Sequence, residues 1–132
     1  MTAWEGHVLG LDDCLTEVMA IPGALDAMLV DQTSGMAVAI SGPPQGVDAE
    51  SSAAALTETL RATMDGLARS CPGETVRIDD MLVTTDKGHH LLRFLETVFE
   101  GPLVIYLRLD LERSNLALAR YRLLNISRQL LT

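Results

Sequence analysis

Along the first fifth of the chain, Leu11, Cys14, Leu15, Val18 and Met19 fall on one helical face, while Asp12, Asp13, Thr16 and Glu17 lie elsewhere. This pattern predicts an amphipathic helix, stopped by Pro22-Gly23, with Cys14 as a core thiol inside the apolar stripe. Residues 24–31 are apolar on both pleat faces, Leu25, Ala27 and Leu29 on one and Met28 and Val30 on the other. A strand of that kind belongs inside a sheet covered on both sides. Gln32-Thr33-Ser34-Gly35 is a turn with glycine at the left-handed position, and residues 36–40 return with large side chains at 36, 38 and 40 and alanines at 37 and 39. The two segments predict a hairpin whose second strand has one thin face.

Gly42-Pro43-Pro44-Gln45-Gly46 is a connector, and Ser51 is a suitable N-cap for a second helix running to about Ser70. This helix carries two seams. Leu56, Leu60, Met64 and Leu67, with Ala53, form a stripe suited to a sheet, while Ala55, Thr59, Ala62 and Gly66 gather on a different face. Small residues at that spacing allow another helix to approach closely; they also suit a water-facing helix, because alanine is the best helix former. Gly66 costs a helix about 1 kcal/mol relative to alanine, which favours packing.

Cys71-Pro72-Gly73 breaks the helix. Val76 and Ile78 then alternate with Arg77 and Asp79, and the alternation resumes one residue out of phase at Met81 and Val83. The slip at Asp79-Asp80 predicts a bulged edge strand over residues 76–83. Asp86-Lys87-Gly88 turns into a fourth strand with His90, Leu92 and Phe94 on one face and Leu91 and Leu95 on the other. After Gly101-Pro102, residues 103–109 form a fifth strand, apolar on both sides apart from Arg108. Residues 113–131 close the chain as a helix with a stripe of Leu116, Ala119, Leu123, Ile126 and Leu130, widened by Ala117, Leu124 and Leu131, and a wet face at Arg122, Asn125 and Gln129. Arg120 projects close to the middle of that stripe, where an arginine either snorkels or finds a carboxylate. The order helix, strand, strand, helix, three strands, helix, joined by short hairpins, predicts an α+β sandwich with an antiparallel sheet.

Composition narrows the class. The chain has 132 residues, 48% of them hydrophobic, which is enough for one domain with its own core. Ten Lys+Arg against 18 Asp+Glu give a net charge of −8, which disfavours sequence-independent nucleic-acid binding and anionic lipid. The charge is graded: no Lys or Arg precedes Arg61, and the last twenty residues carry four arginines and no acid. If the first and last helices share a sheet face, Asp12, Asp13 and Glu17 are expected to meet Arg113, Arg120 or Arg128. No apolar run approaches the roughly 20 residues that span a bilayer, and the start of the chain lacks the charged and apolar regions of a signal peptide. Cys14 and Cys71 read as two free thiols, so the chain reads as a cytoplasmic protein.

Catalytic chemistry finds little support. His89 and His90 are consecutive strand residues and point to opposite faces, so they cannot converge on one metal; His7 is remote, and no HxxxH or HxH spacing exists. Asp12-Asp13 and Asp79-Asp80 suit solvated faces. The Pro-Pro connector has no lysine and is not a GxxxxGK[ST] phosphate loop, and no G-x-S-x-G elbow frames a serine. The five aromatics, Trp4, Phe94, Phe99, Tyr106 and Tyr121, are too scattered to stack a single strand of nucleic acid. No cofactor, metal or catalytic residue is expected.

Ile21-Pro22-Gly23-Ala24 followed by Leu29-Val30-Asp31-Gln32-Thr33-Ser34-Gly35-Met36-Ala37-Val38-Ala39 resembles the first hairpin of the Roadblock dynein light-chain family. Leu82-Val83-Thr84-Thr85-Asp86-Lys87-Gly88-His89-His90-Leu91-Leu92 is similar to its second hairpin, and Ser114-Asn115-Leu116-Ala117-Leu118-Ala119-Arg120 to the start of its last helix. The resemblance covers residues 11–131 and rests on the order and spacing of all three motifs. It divides the chain into an amino-terminal extension, 1–10, and a single domain, 11–132.

The resemblance implies a five-stranded antiparallel sheet of order α-β-β-α-β-β-β-α, with one helix on one face and two on the other, in a bacterial member of the family. It also implies a homodimer in which third strands pair and second helices pack, burying at least ~800 Å² per partner. Ala55, Thr59, Ala62 and Gly66 on the second helix and Val76 and Ile78 on the third strand are then the interface residues. Family members are non-enzymatic platforms that regulate small Ras-like GTPases or tether motor and signalling complexes. With no phosphate loop in this chain, the GTPase would be a separate partner, met through the helix face bearing Glu58, Arg61 and Asp65, residues that equally suit a solvated face. A scaffold without GTPase contact, or a small-molecule sensor, stays open beside this reading.

Overall fold

The computed structural model describes residues 10–41, 48–95 and 102–131. Residues 1–9 of the extension, the Gly42–Gly46 connector, Gly101 and the Asp12 and Leu131 side chains lie outside the described residues. The elements are α1 (Leu11–Met19), β1 (Ala24–Asp31), β2 (Met36–Ser41), α2 (Ala49–Ser70), β3 (Asp80–Thr84), β4 (His89–Leu95), β5 (Leu103–Leu109) and α3 (Leu116–Leu131). All strand pairs are antiparallel, in the spatial order β2-β1-β5-β4-β3.

β1 and β5 lie inside the sheet and bury side chains on both faces. Toward α1 and α3, Ala27, Leu29, Ile105, Leu107 and Leu109 pack with Cys14, Leu15 and Val18 of α1 and Ala119, Leu123, Ile126 and Leu130 of α3. Toward α2, Met28 and Val30 meet Ala53, and Val104 and Leu92 meet Leu60; Leu56 and Tyr106 join these two smaller clusters. One helix therefore covers one face and two cover the other, as the motifs predict. The alternation in residues 24–31 and 103–109 requires this, because an uncovered face on either strand would leave leucine and isoleucine in water.

Turns and caps fix the element ends. Gly23, with φ +87°, ends the α1 turn against Ser114, where a Cβ would come within 2.7 Å of the serine Cβ. Gly35 takes the left-handed conformation expected for the hairpin, with φ +76°, and its N–H donates to the Asp31 carbonyl. α2 is capped by Asp48, whose carboxylate accepts from the Ser51 N–H at 2.8 Å, so the cap precedes the expected Ser51. The last helix begins at Leu116, after Asn115 accepts from the Leu118 N–H; residues 111–113 form a turn held by Asp110 and not the expected first helical turn.

Two patterns shift against the sequence. In β2 the pairing skips Val38 opposite the Leu29/Val30 step, so Ala39 packs beside Leu29 and Ala37 on the opposite, α2 face. The alanines therefore serve both faces, and Met36, Val38 and Ile40 are exposed along an edge. On α3, Arg122 and Asn125 are half-buried, while Ala117 and Tyr121 face water, so the wet face is rotated from the expected one.

α1 and α3 share a sheet face, yet among the described residues no ion pair joins Asp13 or Glu17 to α3. Arg120 stands at the rim of the stripe, turned away from α1 toward the sheet edge, and pairs with Asp80. On the α2 face, Arg108 donates Nε and Nη2 bonds of 3.0 and 2.7 Å to Asp26, and His90 Nδ1 lies 2.6 Å from the Tyr106 hydroxyl.

Burial, with a smaller push from Glu17, raises the Cys14 thiol to about 12. Cys14 is fully buried while Cys71 is half-buried, so iodoacetamide at pH 8 should label one thiol in the folded protein and two in denaturant; two labels without denaturant would show an open core. His90 is held below its ordinary value of 6.5 by burial and then by Arg108, against the pull of Asp26 and with a lesser push from His89. The unfolded chain then binds more protons, so stability declines as pH falls through about 6.5. The thermal midpoint should fall between about pH 7.5 and 5, and His90→Gln should flatten that fall; an unchanged slope would assign it to other groups.

Candidate interaction surface

α2 is longer than the sheet it covers. Its 22 residues extend about 33 Å, whereas five strands side by side span about 19 Å between the outer ones. All its buried residues, Ala53, Thr57 and Leu60, lie in the first twelve positions, and from Arg61 onward only Thr63 is even half-buried. The apolar stripe nevertheless continues into the overhang: Met64 is 43% exposed and Leu67 36%. The expected sheet-facing stripe is thus met by Ala53 and Leu60, in part by Leu56, and not by Met64 and Leu67.

Ala55, Thr59, Ala62 and Gly66 are all exposed and lie nearly opposite the buried stripe on the helical wheel. Thr59 donates its hydroxyl to the Ala55 carbonyl at 3.1 Å, and Ser70 bonds the Gly66 carbonyl in the same way. Back-bonded hydroxyls leave a face of methyl groups and backbone with little polar surface to desolvate. A Cβ on Gly66 would meet nothing within 4 Å, so no contact among the described residues accounts for this glycine. Glu58, Arg61 and Asp65 are exposed on the flank between this face and the buried stripe, and Arg61 borders a hollow of about 220 Å³ with Thr57 and Met64.

The third strand differs from its expected extent. It spans Asp80–Thr84, so Val76 and Ile78 lie in an irregular segment before it. Pairing ends at Asp80 opposite Arg93, and the Phe94 N–H bonds the Asp79 carbonyl at 3.1 Å as the last rung. Among the described residues no ladder pairing reaches residues 76–78, and the phase slip at Asp79-Asp80 marks the strand's start, not a bulge within it. Val76 is 36% exposed and Ile78 half-buried. The strand itself presents Leu82 and Val83, 42% and 46% exposed, at the outer edge of the sheet among the described residues. Counting back from the Asp86-Lys87-Gly88 turn would have found them.

Asp80 anchors this edge. Arg120 donates to both its oxygens, 2.9 and 3.1 Å, and Arg93 approaches at 3.9 Å. The carboxylate is 18% exposed and the Arg120 side chain 56%, so solvent weakens the pairing from one side. His89 and His90 face opposite ways, as expected: His89 is buried beside the Thr84 hydroxyl at 2.8 Å, and His90 stacks on Tyr106. Among the described residues, no group of three or more His, Cys, Asp or Glu side chains is placed to hold a metal, and no helix is long and apolar enough to cross a membrane.

The fold is that of known structures. The gliding protein MglB from Thermus thermophilus superposes with a TM-score of 0.72 at 20% identity, over 93% of this chain and 91% of that one. Myxococcus xanthus MglB gives 0.70 at 21% identity, over 98% and 94%, and a Roadblock/LC7 domain from Streptomyces avermitilis gives 0.70 at 17%, over 90% and 92%. The chain therefore has the Roadblock fold of bacterial proteins. No family model and no curated protein matches its sequence.

Asp80→Asn should cost about 1–2 kcal/mol in urea unfolding and Arg120→Ala less than about 1 kcal/mol, because only the former leaves half-buried Arg93 without its carboxylate. Equal losses would place the whole effect in the Arg120 arm.

Proposed function

We propose that this protein is a homodimeric adaptor that binds and regulates a small Ras-like GTPase supplied as a separate chain. The observation that carries the reading is the uncovered overhang of α2 beside an uncovered strand edge, on a Roadblock fold. Met64 and Leu67 continue a stripe that one chain cannot bury, the small-residue face is smooth enough for a second helix, and β3 offers unpaired backbone with Leu82 and Val83. Exposed stripes and open edges of this kind are normally covered by a partner.

In the dimer, α2 packs on its copy through Ala55, Thr59, Ala62 and Gly66, and β3 pairs with its copy through the edge at Leu82 and Val83, flanked by Val76 and Ile78. Self-association is supported by the likeness in fold to an MglB with a tetrameric arrangement, 19% identical with a TM-score of 0.72. Regulation of a GTPase is supported by the likeness to bacterial MglB and by the motif resemblance to Roadblock platforms. The charged flank Glu58, Arg61 and Asp65 stays outside the helix seam and is available to that partner. The adaptor acts in the cytoplasm, as part of a signalling complex, and carries no cofactor of its own.

Light scattering at micromolar concentration should give twice the 14.3 kDa chain mass, and Ala62→Arg should return it to the single-chain value. A monomeric wild type would end the dimer reading, and an unchanged mass for Ala62→Arg would put the seam in water. Purified Ras-like GTPase should be retained by the immobilised dimer, with nucleotide exchange or hydrolysis changed. Retention without a rate change would support a tether, and no retention would leave a scaffold without GTPase contact.

A further inference from the structure

β2 ends the sheet on the side away from β3, and among the described residues nothing pairs with its outer edge. Met36, Val38 and Ile40 along it are 59%, 44% and 59% exposed. Edge strands are ordinarily guarded by a lysine or another charge, by proline, by a bulge, or by a covering loop or helix. β2 carries no charge and no proline, and the charge-free run of the chain extends from Gln32 to Val47. Its one guard among the described residues is the bulge, where the pairing skips Val38 opposite the Leu29/Val30 step. Large apolar side chains beside an unpaired backbone edge form a surface that an extended segment completes.

The charge around this edge has one sign. α1 packs on β2 and β1, and the first half of α2 packs on β2 from the other face, where Ala53 meets Ala37. This end of the sheet is therefore built from residues before Arg61, a stretch without lysine or arginine. Asp26 within it is neutralised by Arg108, whereas Asp13 and Glu17 on α1 and Asp48 and Glu50 at the start of α2 are exposed and form no ion pair within the described residues. α3, which brings the late arginines, packs on α1 and β4. A second copy of the chain suits the edge poorly. Because of the bulge, Met36 pairs with Asp31 on the face of Leu29, and Ile40 pairs with Met28 on the face of α2. A two-fold about the middle of β2 would set Met36 against the partner's Ile40 across opposite faces, and would bring two acidic, cation-free ends together.

We infer that the outer edge of β2 binds an extended segment of a partner protein, with apolar residues on both of its faces lying beside Met36, Val38 and Ile40, and with flanking lysine or arginine side chains meeting the acids of α1 and α2. Backbone pairing fixes the geometry of such a complex, and the charges set the preference and the rate of encounter. β2 and β3 are the outer strands of the sheet, about 19 Å apart, so the site lies away from the surfaces of the proposed dimer and is present in each copy whether or not the dimer forms. It is independent of the GTPase reading and of the helix seam.

The probe is the peptide acetyl-Lys-Arg-Val-Thr-Val-Val-Thr-Arg-Lys-amide, titrated to millimolar concentration into the ¹⁵N-labelled full chain while the backbone amide resonances are followed. Those of residues 36–41 should move saturably, and their exchange with solvent should slow. A counterpart with glutamate for every lysine and arginine, and another with proline at the central valine, should each bind at least about tenfold more weakly. Ile40→Lys, a change at an exposed side chain, should weaken the first peptide by a similar factor. If that variant does not fold, the two counterpart peptides decide on the unmodified chain. Amides of residues 36–41 that stay still, equal binding of either counterpart or by Ile40→Lys, or a response centred on β3 overturns the assignment. So do shifts of residues 36–41 with protein concentration alone, which would make a second copy of this chain the occupant.

Discussion

Two central strands that must be buried on both sides set the architecture. β5 sends Ile105, Leu107 and Leu109 to one face and Val104 and Tyr106 to the other, and β1 beside it does the same with Leu29 against Met28 and Val30. Burying one such side chain contributes roughly 1.5–3 kcal/mol, so neither face can stay wet at a stability typical of a small domain. A helix layer on each side is the result. The core toward α1 and α3 is one continuous cluster, whereas the side toward α2 is two small clusters joined by Leu56 and Tyr106.

That asymmetry leads toward function. A single helix lying across five strands touches little of each, and α2 is long enough to run past the sheet. What it gives up in burial it offers as surface: the smooth face at Ala55, Thr59, Ala62 and Gly66, and the stranded pair Met64 and Leu67. The β3 edge lies at one end of the same sheet, held by Asp80 through arginines from two different elements, β4 and α3. A carboxylate in that position fixes the edge strand to both layers and leaves its outer backbone edge open to a partner. Arg120, an exception inside an apolar stripe when read along α3 alone, is the tether that makes this possible.

The graded charge has a related lesson. Acids early and arginines late suggested an electrostatic seam between α1 and α3. Among the described residues, with the Asp12 side chain outside them, the contact between the two helices is apolar, built from Cys14, Val18, Leu123 and their neighbours. The arginine of α3 nearest the middle of its sequence stripe turns to the opposite flank. A carboxylate at the sheet rim offered Arg120 a two-bond contact.

Much of the fold was legible in local pattern. The two-sided strands, the left-handed Gly35, the opposed histidines and the amphipathic α1 each follow from steric and hydrophobic rules that act within a few residues. The exposed small-residue face of α2 was visible as well, because its spacing is a property of the helix itself. What the sequence could not set was anything that depends on where a neighbour ends. β3 begins at Asp80, where its ladder with β4 starts, and among the described residues Val76 and Ile78 have no place in that ladder. Met64 and Leu67 are exposed because the sheet is narrower than α2 is long. Local periodicity determined which faces are apolar, and only the tertiary structure decided which of them are covered.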